Sequence, residues 1–381
     1  MNDILILSGS RTPIGSINGA LANYTAPQLA GKAAAEAIAK AGVKAEELGE
    51  VVLGCVIPAG IGQAPARQAA IAAGIPVSVG ATTVNKVCGS GMKAVMMAAQ
   101  GIALGEQELA LAGGMESMSK APYLLDKARS GYRYGDAKLL DSVLRDGLMD
   151  PYDGVHMGDC GELCAKEHGI TREMQDAWAV RSYQNAIDAQ AKGIFKSEIV
   201  GIDGIELDEE PGRAKLDKIA KLRPAFQKDG TITAANASKL NDGAAALVLA
   251  SAKGAAGKKP LARIVGWATH SQEPKWFTTA PAGAVTKLLK NVGWTADQVD
   301  LFEVNEAFAV VSLAVAKLAS LPHEKINVHG GAVALGHPLG ASGARILVTL
   351  INALKLRGGK RGVAGICLGG GEATAIALEL V

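Results

Sequence analysis

The chain has 381 residues, a formal net charge of +2 and 20% charged residues. Hydrophobic residues make up 49%, enough for a sizeable core, and this excludes extended disorder. The near-neutral balance excludes a global field that would draw the protein to nucleic acid or to an anionic membrane.

The opening segment, "MNDILILSGSRTPIG", enters a strand at once and carries no basic leader. It reads as neither a signal nor a transit peptide, so the expected compartment is the cytoplasm, or an organelle holding a mature chain. Cys55, Cys88, Cys160, Cys164 and Cys367 form an odd set in a long chain. They predict free thiols under reducing conditions rather than a disulfide framework. No apolar run of about 18 residues is free of breaks and charges, so no membrane span is predicted.

Residues 41–54, "AGVKAEELGEVVLG", predict a helix end, a short connection and a strand. "VGWTADQVDLFEVN" (292–305) repeats that pattern in the second half of the chain. Residues 90–117 and 342–373 share a longer order: Ser–Gly, apolar helix, polar turn, apolar strand, then Gly–Gly–x–Glu. One recurrence at so long a spacing is a duplicated domain, not a solenoid. Alternating helical and strand patterns in each copy predict α/β layering with mixed sheets. The helices after Ser90 and Ser342 are apolar nearly all round, which places both at the centre of the molecule.

The second copy runs from "GGGE" straight into the strand "ATAIALEL". In the first, "GGMES" is followed by a long polar segment, and the matching strand "GAAALVLAS" arrives only at 243–251. The expected units are therefore 1–117 with 241–260, an insert over 118–240, and 261–381. Within the insert, residues 171–193 predict a helix capped by Thr171 and stopped by glycine. A basic run, Arg213, Lys215, Lys218, Lys221 and Arg223, follows; it reads as an anion site or as a solvated face.

The chemistry centres on "TVNKVCGSGMKAVMMAAQ" (82–99). Cys88 stands on the corner before an apolar helix. The helix dipole and free N–H groups there predict a lowered thiol pKa and a nucleophile. Gly89 and Gly91 permit the sharp turn. Cys55 lacks that context and reads as an inert core residue. His337, in the glycine-rich turn before the second central helix, is placed to take the thiol proton, or makes a structural turn contact. Cys367 ends a strand, and the glycines after it offer N–H groups to an oxyanion. Asn305, in "EVNEAF", is a neutral donor at a strand's C-terminal end. His156, Cys160, Cys164 and His168 recur every four residues, but on one helix they would span roughly 18 Å and could not wrap a zinc tetrahedron.

"RTPIGS", "GQAPARQA" (62–69), "VNKVCGSGMKA" (84–94), "GGMESMS" (113–119), "HMG" (156–158), "TAANASKLNDGAAA" (233–246), "NEAF", "GHPLGASGAR" and "CLGGG" together resemble the thiolase family. They stand in thiolase order across the whole chain. The resemblance implies an α/β thiolase fold: two pseudo-symmetric βαβαβαββ repeats in five layers, with two buried central helices. It implies reversible condensation of two acetyl-CoA to acetoacetyl-CoA and coenzyme A. A longer-chain 3-ketoacyl-CoA thiolase and a non-catalytic acyl-CoA-binding protein are the rival readings.

The resemblance also implies roles. Cys88 would accept the acyl group and His337 would activate it. Asn305 would hold a water in one oxyanion hole, and the N–H groups of Cys88 and Gly369 would form the other. Cys367 would be the acid/base at the α-carbon. Coenzyme A, a substrate rather than a bound cofactor, would meet His156, Met157, Ser238, Ala307 and Phe308. Charge alone adds Arg213 and Lys218 for its nucleotide phosphates. Some relatives bind K+; the ligands would be Tyr183 and the carbonyls of Ala234, Ala235, Ala237 and Val333, accompanied by Phe277. A homodimer or homotetramer is implied, with no nucleic-acid or membrane partner. Two positions depart from the family pattern. Glu372 would raise the Cys367 pKa if it faced that thiol, or would point to solvent; Trp276 would narrow the acyl pocket.

Overall fold

The computed structural model describes residues 3–381. Strand β1 (Ile4–Arg11) and helix α1 (Ala26–Ala41) come first. Thr25 caps α1, and Gly42 ends it at φ 61°, a left-handed turn that glycine adopts freely. β2 (Glu50–Gly54), α2 (Pro65–Ala72), β3 (Gly80–Val84), α3 (Ser90–Leu104) and β4 (Leu109–Ser117) follow. After β4 come α4 (Met157–His168) and α5 (Arg172–Ala191), then β5 (Asn241–Ser251). The remainder runs β6 (Ala262–Ser271), α6 (Ala280–Val292), β7 (Leu301–Val304), α7 (Ala309–Leu318), α8 (Leu339–Arg357), β8 (Arg361–Leu368) and β9 (Glu372–Leu380). α5 matches the helix predicted over 171–193, with the Thr171 side chain accepting from the Met174 N–H.

The duplication is written in the hydrogen bonds. One half-sheet has the order β1-β5-β4-β2-β3, the other β6-β9-β8-β7. In each, the inner strands are parallel and the strand after the central helix's own strand returns antiparallel. The strand that would correspond to β3 has shrunk to one bridge between Phe302 and Ile326. The halves join through two residue pairs of β1 and β6, Leu5 with Arg263 and Ile6 with Ala262. The result is a single ten-stranded sheet, counting Gly15–Ser16, which pairs with β5 off the main path.

That sheet folds back on itself, because α8 packs on β4 and β5 of one half and on β7 and β8 of the other. α3 lies beside α8; α1 and α2 cover one outer face and α6 and α7 the other. This is the five-layered thiolase arrangement. α8 is buried without interruption from Leu339 to Ile351, which explains its apolar sequence. The one charge in that buried stretch, Arg345, reaches Glu303 at 3.4 Å. α3 and α8 are long and apolar enough to cross a membrane, but here they form the core.

The two central helices meet backbone to backbone. A Cβ added at Gly91 would lie 2.8 Å from the Gly340 carbonyl oxygen, and one at Gly343 2.5 Å from the Met92 nitrogen. A Cβ at Gly114 of β4 would come within 1.9 Å of the same Gly340 oxygen. Gly114→Ala should therefore cost at least about 1–3 kcal/mol, read as a lower denaturation midpoint. Gly212→Ala, with open space around it, should stay within about 0.5 kcal/mol of the parent. Equal midpoints for the two variants would refute this account of the helix crossing.

Candidate active site

Cys88 lies two residues before α3, on a corner held by short bonds. The Gly89 N–H donates to the Lys86 carbonyl (3.1 Å) and the Ser90 N–H to the Val87 carbonyl (3.0 Å). The Lys86 N–H donates to Ser90 Oγ at 2.8 Å, and that hydroxyl donates to the Val87 carbonyl at 2.6 Å. Val87 has φ 46°, a left-handed conformation that a β-branched residue strongly disfavours. The corner stores strain that aims the next side chain. A Cβ on Gly89 would sit 2.5 Å from Leu368 Cδ2, so glycine lets the corner close on the end of β8.

The groups predicted from the sequence converge here. The N–H groups of Cys88 and Gly369 lie close enough to the Cys88 sulfur to favour its thiolate form. Cys367 is fully buried and near enough for its charge to be repelled by that of Cys88. Cys88 and His337 each precede, by about one helical turn, the glycine at which their helices cross. Leu339, two residues past His337, belongs to the apolar cluster that packs on Cys88.

His337 Nδ1 lies 2.6 Å from Ser342 Oγ, whose own proton goes to the Pro338 carbonyl at 2.9 Å. Nδ1–H is therefore the donor, and Nε2 carries the lone pair. Asn305 Nδ2 stands 3.4 Å from Nε2, and Asn305 Oδ1 is buried without a partner. Asn241 Oδ1 holds the His337 N–H at 2.9 Å. Burial, then the charge of Arg345, pushes the imidazole pKa down to about 3, so the ring is neutral and free to accept a proton.

The thiols depart from the sequence expectation. The helix N-terminus predicted a lowered Cys88 pKa; burial instead pushes it up to about 12, against the Gly369 and Cys88 N–H groups and with a small push from Glu116. Loss of solvation outweighs the dipole because α3 begins beyond the sulfur, at Ser90. Burial, and then Cys88, also raise Cys367 well above its usual value. The resting site holds two thiols and a neutral imidazole.

One wall of the approach comes from the insert. Met157 Sδ lies 3.8 Å from where a Gly369 Cβ would stand, so the start of α4 borders the oxyanion amide. His156 caps α4, its Nδ1 accepting from the Gly158 N–H at 2.9 Å. Its ring stacks on Phe226 at 4.7 Å; Phe226 meets Phe308 at 6.0 Å, and Phe308 meets Phe277 at 6.5 Å. The Ser238 N–H donates to the Ala307 carbonyl at 2.9 Å. His156, Met157, Ser238, Ala307 and Phe308 thus come together, joined by Phe226, which the motifs did not mark. Arg213 and Lys218 are exposed, and Arg213 pairs with Glu209 at 3.2 Å. Cys160 and Cys164 are core residues of α4.

Two expectations change, and the two alternatives for Glu372 are resolved. Trp276 packs edge-on against His168 at 6.3 Å. That is the far end of α4, roughly 18 Å from His156, so Trp276 does not narrow the acyl pocket. Glu372 turns away from Cys367 and pairs with Lys86 at 2.5 Å, also accepting from Ser271 Oγ at 2.8 Å. Of the K+ ligands, the carbonyls of Ala237 and Val333 do converge, but on Lys239 Nζ, at 2.8 and 3.0 Å. The ammonium lies 5.1 Å over the Tyr183 ring, while Ala234 is exposed. This donor set, already holding a cation, does not fit K+.

Glu116, the glutamate of "GGMES", carries no role in the motif reading. It accepts from the N–H groups of Val56 (3.0 Å), Ile57 (3.1 Å) and Gly340 (2.9 Å), tying the end of β4 to the start of α8. Burial pushes its pKa up to about 7 against those three bonds. The repeated Gly–Gly–x–Glu pattern does not make it equivalent to Glu372: Glu116 lies within β4, whereas Glu372 opens β9.

Two activatable thiols facing an amide pair and a neutral imidazole define an acyl-transferring site. Models of the thiolase N-terminal and C-terminal domains match residues 4–253 and 258–380. The chain belongs to the thiolase family. The probable acetyl-CoA acetyltransferase of Dictyostelium discoideum is 50% identical, over 100% of this chain and 94% of its own. Acetyl-CoA acetyltransferase IB of Candida tropicalis is 52% identical, over 99% and 97%. The crystal structure of Acat5 thiolase from Ascaris suum in complex with coenzyme A superposes with TM-score 0.96 at 45% identity, covering 100% of both chains. That of the Bacillus anthracis acetyl-CoA acetyltransferase gives 0.97 at 43%, covering 100% and 99%.

With its thiol pKa pushed up to about 12, Cys88 alkylation by iodoacetamide should quicken steadily from pH 7 to pH 10. A rate plateau below pH 8 in the free enzyme would instead reveal a resting thiolate.

Proposed function

We propose that this chain catalyses the reversible condensation of two acetyl-CoA molecules to acetoacetyl-CoA and coenzyme A, through an acetyl-Cys88 intermediate. The observation that carries the reading is that the Gly369 and Cys88 N–H groups and the Cys367 thiol all lie close enough to the Cys88 sulfur to act on its charge. The names of the full-length relatives support acetyl-CoA as the substrate. The coenzyme A complex of the Ascaris protein supports the approach wall as a coenzyme A site.

His337 Nε2 takes the Cys88 proton, and the thiolate attacks the thioester carbonyl carbon. The two amides hold the oxyanion, each donor being worth roughly 3 kcal/mol. Collapse breaks the carbon–sulfur bond to coenzyme A, and the Cys367 proton goes to the departing sulfur. The Cys367 thiolate then removes the α-proton of the second acetyl-CoA. The enolate oxygen lies towards Asn305 and the protonated His337, and the carbanion attacks the acetyl-Cys88 carbonyl. Cys88 leaves as thiolate and regains its proton from His337.

The assembly is a dimer or tetramer in this reading. β3 pairs only with β2, leaving its other edge open, and α3, which packs on β3, exposes Met97 and Leu104. All five cysteines are free, which fits a reducing compartment such as the cytoplasm.

Two variants test the chemistry. Cys88→Ser should give no burst of labelled acetyl-enzyme with radioactive acetyl-CoA. Cys367→Ala should still acetylate yet condense on the order of 10²–10⁴-fold more slowly. Native turnover by Cys367→Ala, or normal labelling of Cys88→Ser, would overturn the assignment.

A further inference from the structure

Lys239 lies in the stretch "ASKLND", whose neighbours serve the approach wall and the His337 turn. Its ammonium has three donors. Two go to the carbonyls of Ala237 and Val333, at 2.8 and 3.0 Å. The third side faces the Tyr183 ring, 5.1 Å away, where a cation is attracted to the π face.

Each contact reaches a different region of the site. Ala237 precedes Ser238, whose N–H is bonded to the Ala307 carbonyl. Val333 lies on the turn leading to His337, and its N–H donates to the buried carboxylate of Glu306 at 3.2 Å. Tyr183 belongs to α5 of the insert. Glu306 is itself fixed by Trp178 Nε1 (2.9 Å), Ser182 Oγ (2.7 Å) and Asn327 Nδ2 (2.9 Å). Glu210 and Glu306 supply nearby negative charge that favours the ammonium in this buried place.

We infer that Lys239 is a tethered cation: its ammonium pins the coenzyme A loop, the His337 turn and α5 together, and this chain has no separate monovalent metal ion at these carbonyls. A free ion drawn to the same two oxygens would meet a like charge already bonded to both. Lys239 is thus a positioning residue. Its effect on substrate binding rests on the acetyl-CoA reading above, whereas its exclusion of a metal ion does not.

The test compares KCl, NaCl and choline chloride at constant ionic strength, using thermal melting and equilibrium dialysis with radioactive rubidium. Wild type should bind no rubidium and melt alike in all three salts. Lys239→Ala opens space at the carbonyls; it should melt lower and show a KM for acetyl-CoA raised about tenfold, and KCl should reverse both. Lys239→Met fills the space without the charge, so it should lose stability without K+ rescue. Rubidium bound to wild type at about one ion per chain would overturn the inference. So would a Met variant that melts and binds acetyl-CoA like wild type. If the Ala variant fails to fold, the wild-type dialysis and the Met variant still decide. If no thiolase activity is found, the melting and dialysis results stand independently of it.

Discussion

Everything at the site depends on the direct backbone contact between the first turns of α3 and α8. Gly91, Gly114, Gly340 and Gly343 leave no room for a side chain at that crossing. The contact sets the corner that carries Cys88 beside the turn that carries His337. It also removes water. Desolvation is the leading cause behind the lowered His337 pKa and the raised pKa values of Cys88, Cys367 and Glu116. Tight packing and proton inventory are linked: a neutral imidazole and two protonated sulfurs share the site because burial disfavours each charged form.

After duplication, equivalent positions took on separate jobs. Ser90 and Ser342 hold corresponding places at the two helix starts. Ser90 Oγ donates to the Val87 carbonyl and closes the nucleophile's corner. Ser342 Oγ donates to the Pro338 carbonyl and so accepts from His337 Nδ1, which selects the tautomer. The glutamates of the two Gly–Gly–x–Glu patterns fall on different strands, β4 and β9. Glu116 is sealed inside, holding the Gly340 N–H, while Glu372 remains half-buried in a pair with Lys86. One repeat became the nucleophile's scaffold and the other the base's.

Much of this was legible in the residues. Apolar runs after Ser90 and Ser342 placed the central helices, and repeated Gly–Gly–x–Glu placed the strands around them. Motif resemblance brought Cys88, His337, Asn305, Cys367 and Gly369 to one site. What stayed hidden came from depth and direction, which local spacing does not encode. The dipole argument for Cys88 was sound but smaller than a desolvation that only the fold reveals. Trp276 adjoins Phe277 in the chain yet packs at the other end of α4. Lys239 sits among the expected cation ligands in "AANASKLND", but nothing local says that its side chain folds back onto the Ala237 carbonyl. Phe226 lies outside every motif and enters the wall only through His156.

The strand order also governs how such a chain is made. β1 pairs with β5, whose residues come well over a hundred positions later. At typical elongation rates the ribosome needs roughly 6–25 s to pass from the end of β4 to the start of β5. Even then α8 is still to be synthesised, and the inner faces of both half-sheets stay open until it emerges. The nascent N-terminal half is therefore left with a bare apolar surface and an unpaired strand, a natural client for holdase chaperones. Biogenesis, more than the finished enzyme's stability, is where this architecture is vulnerable.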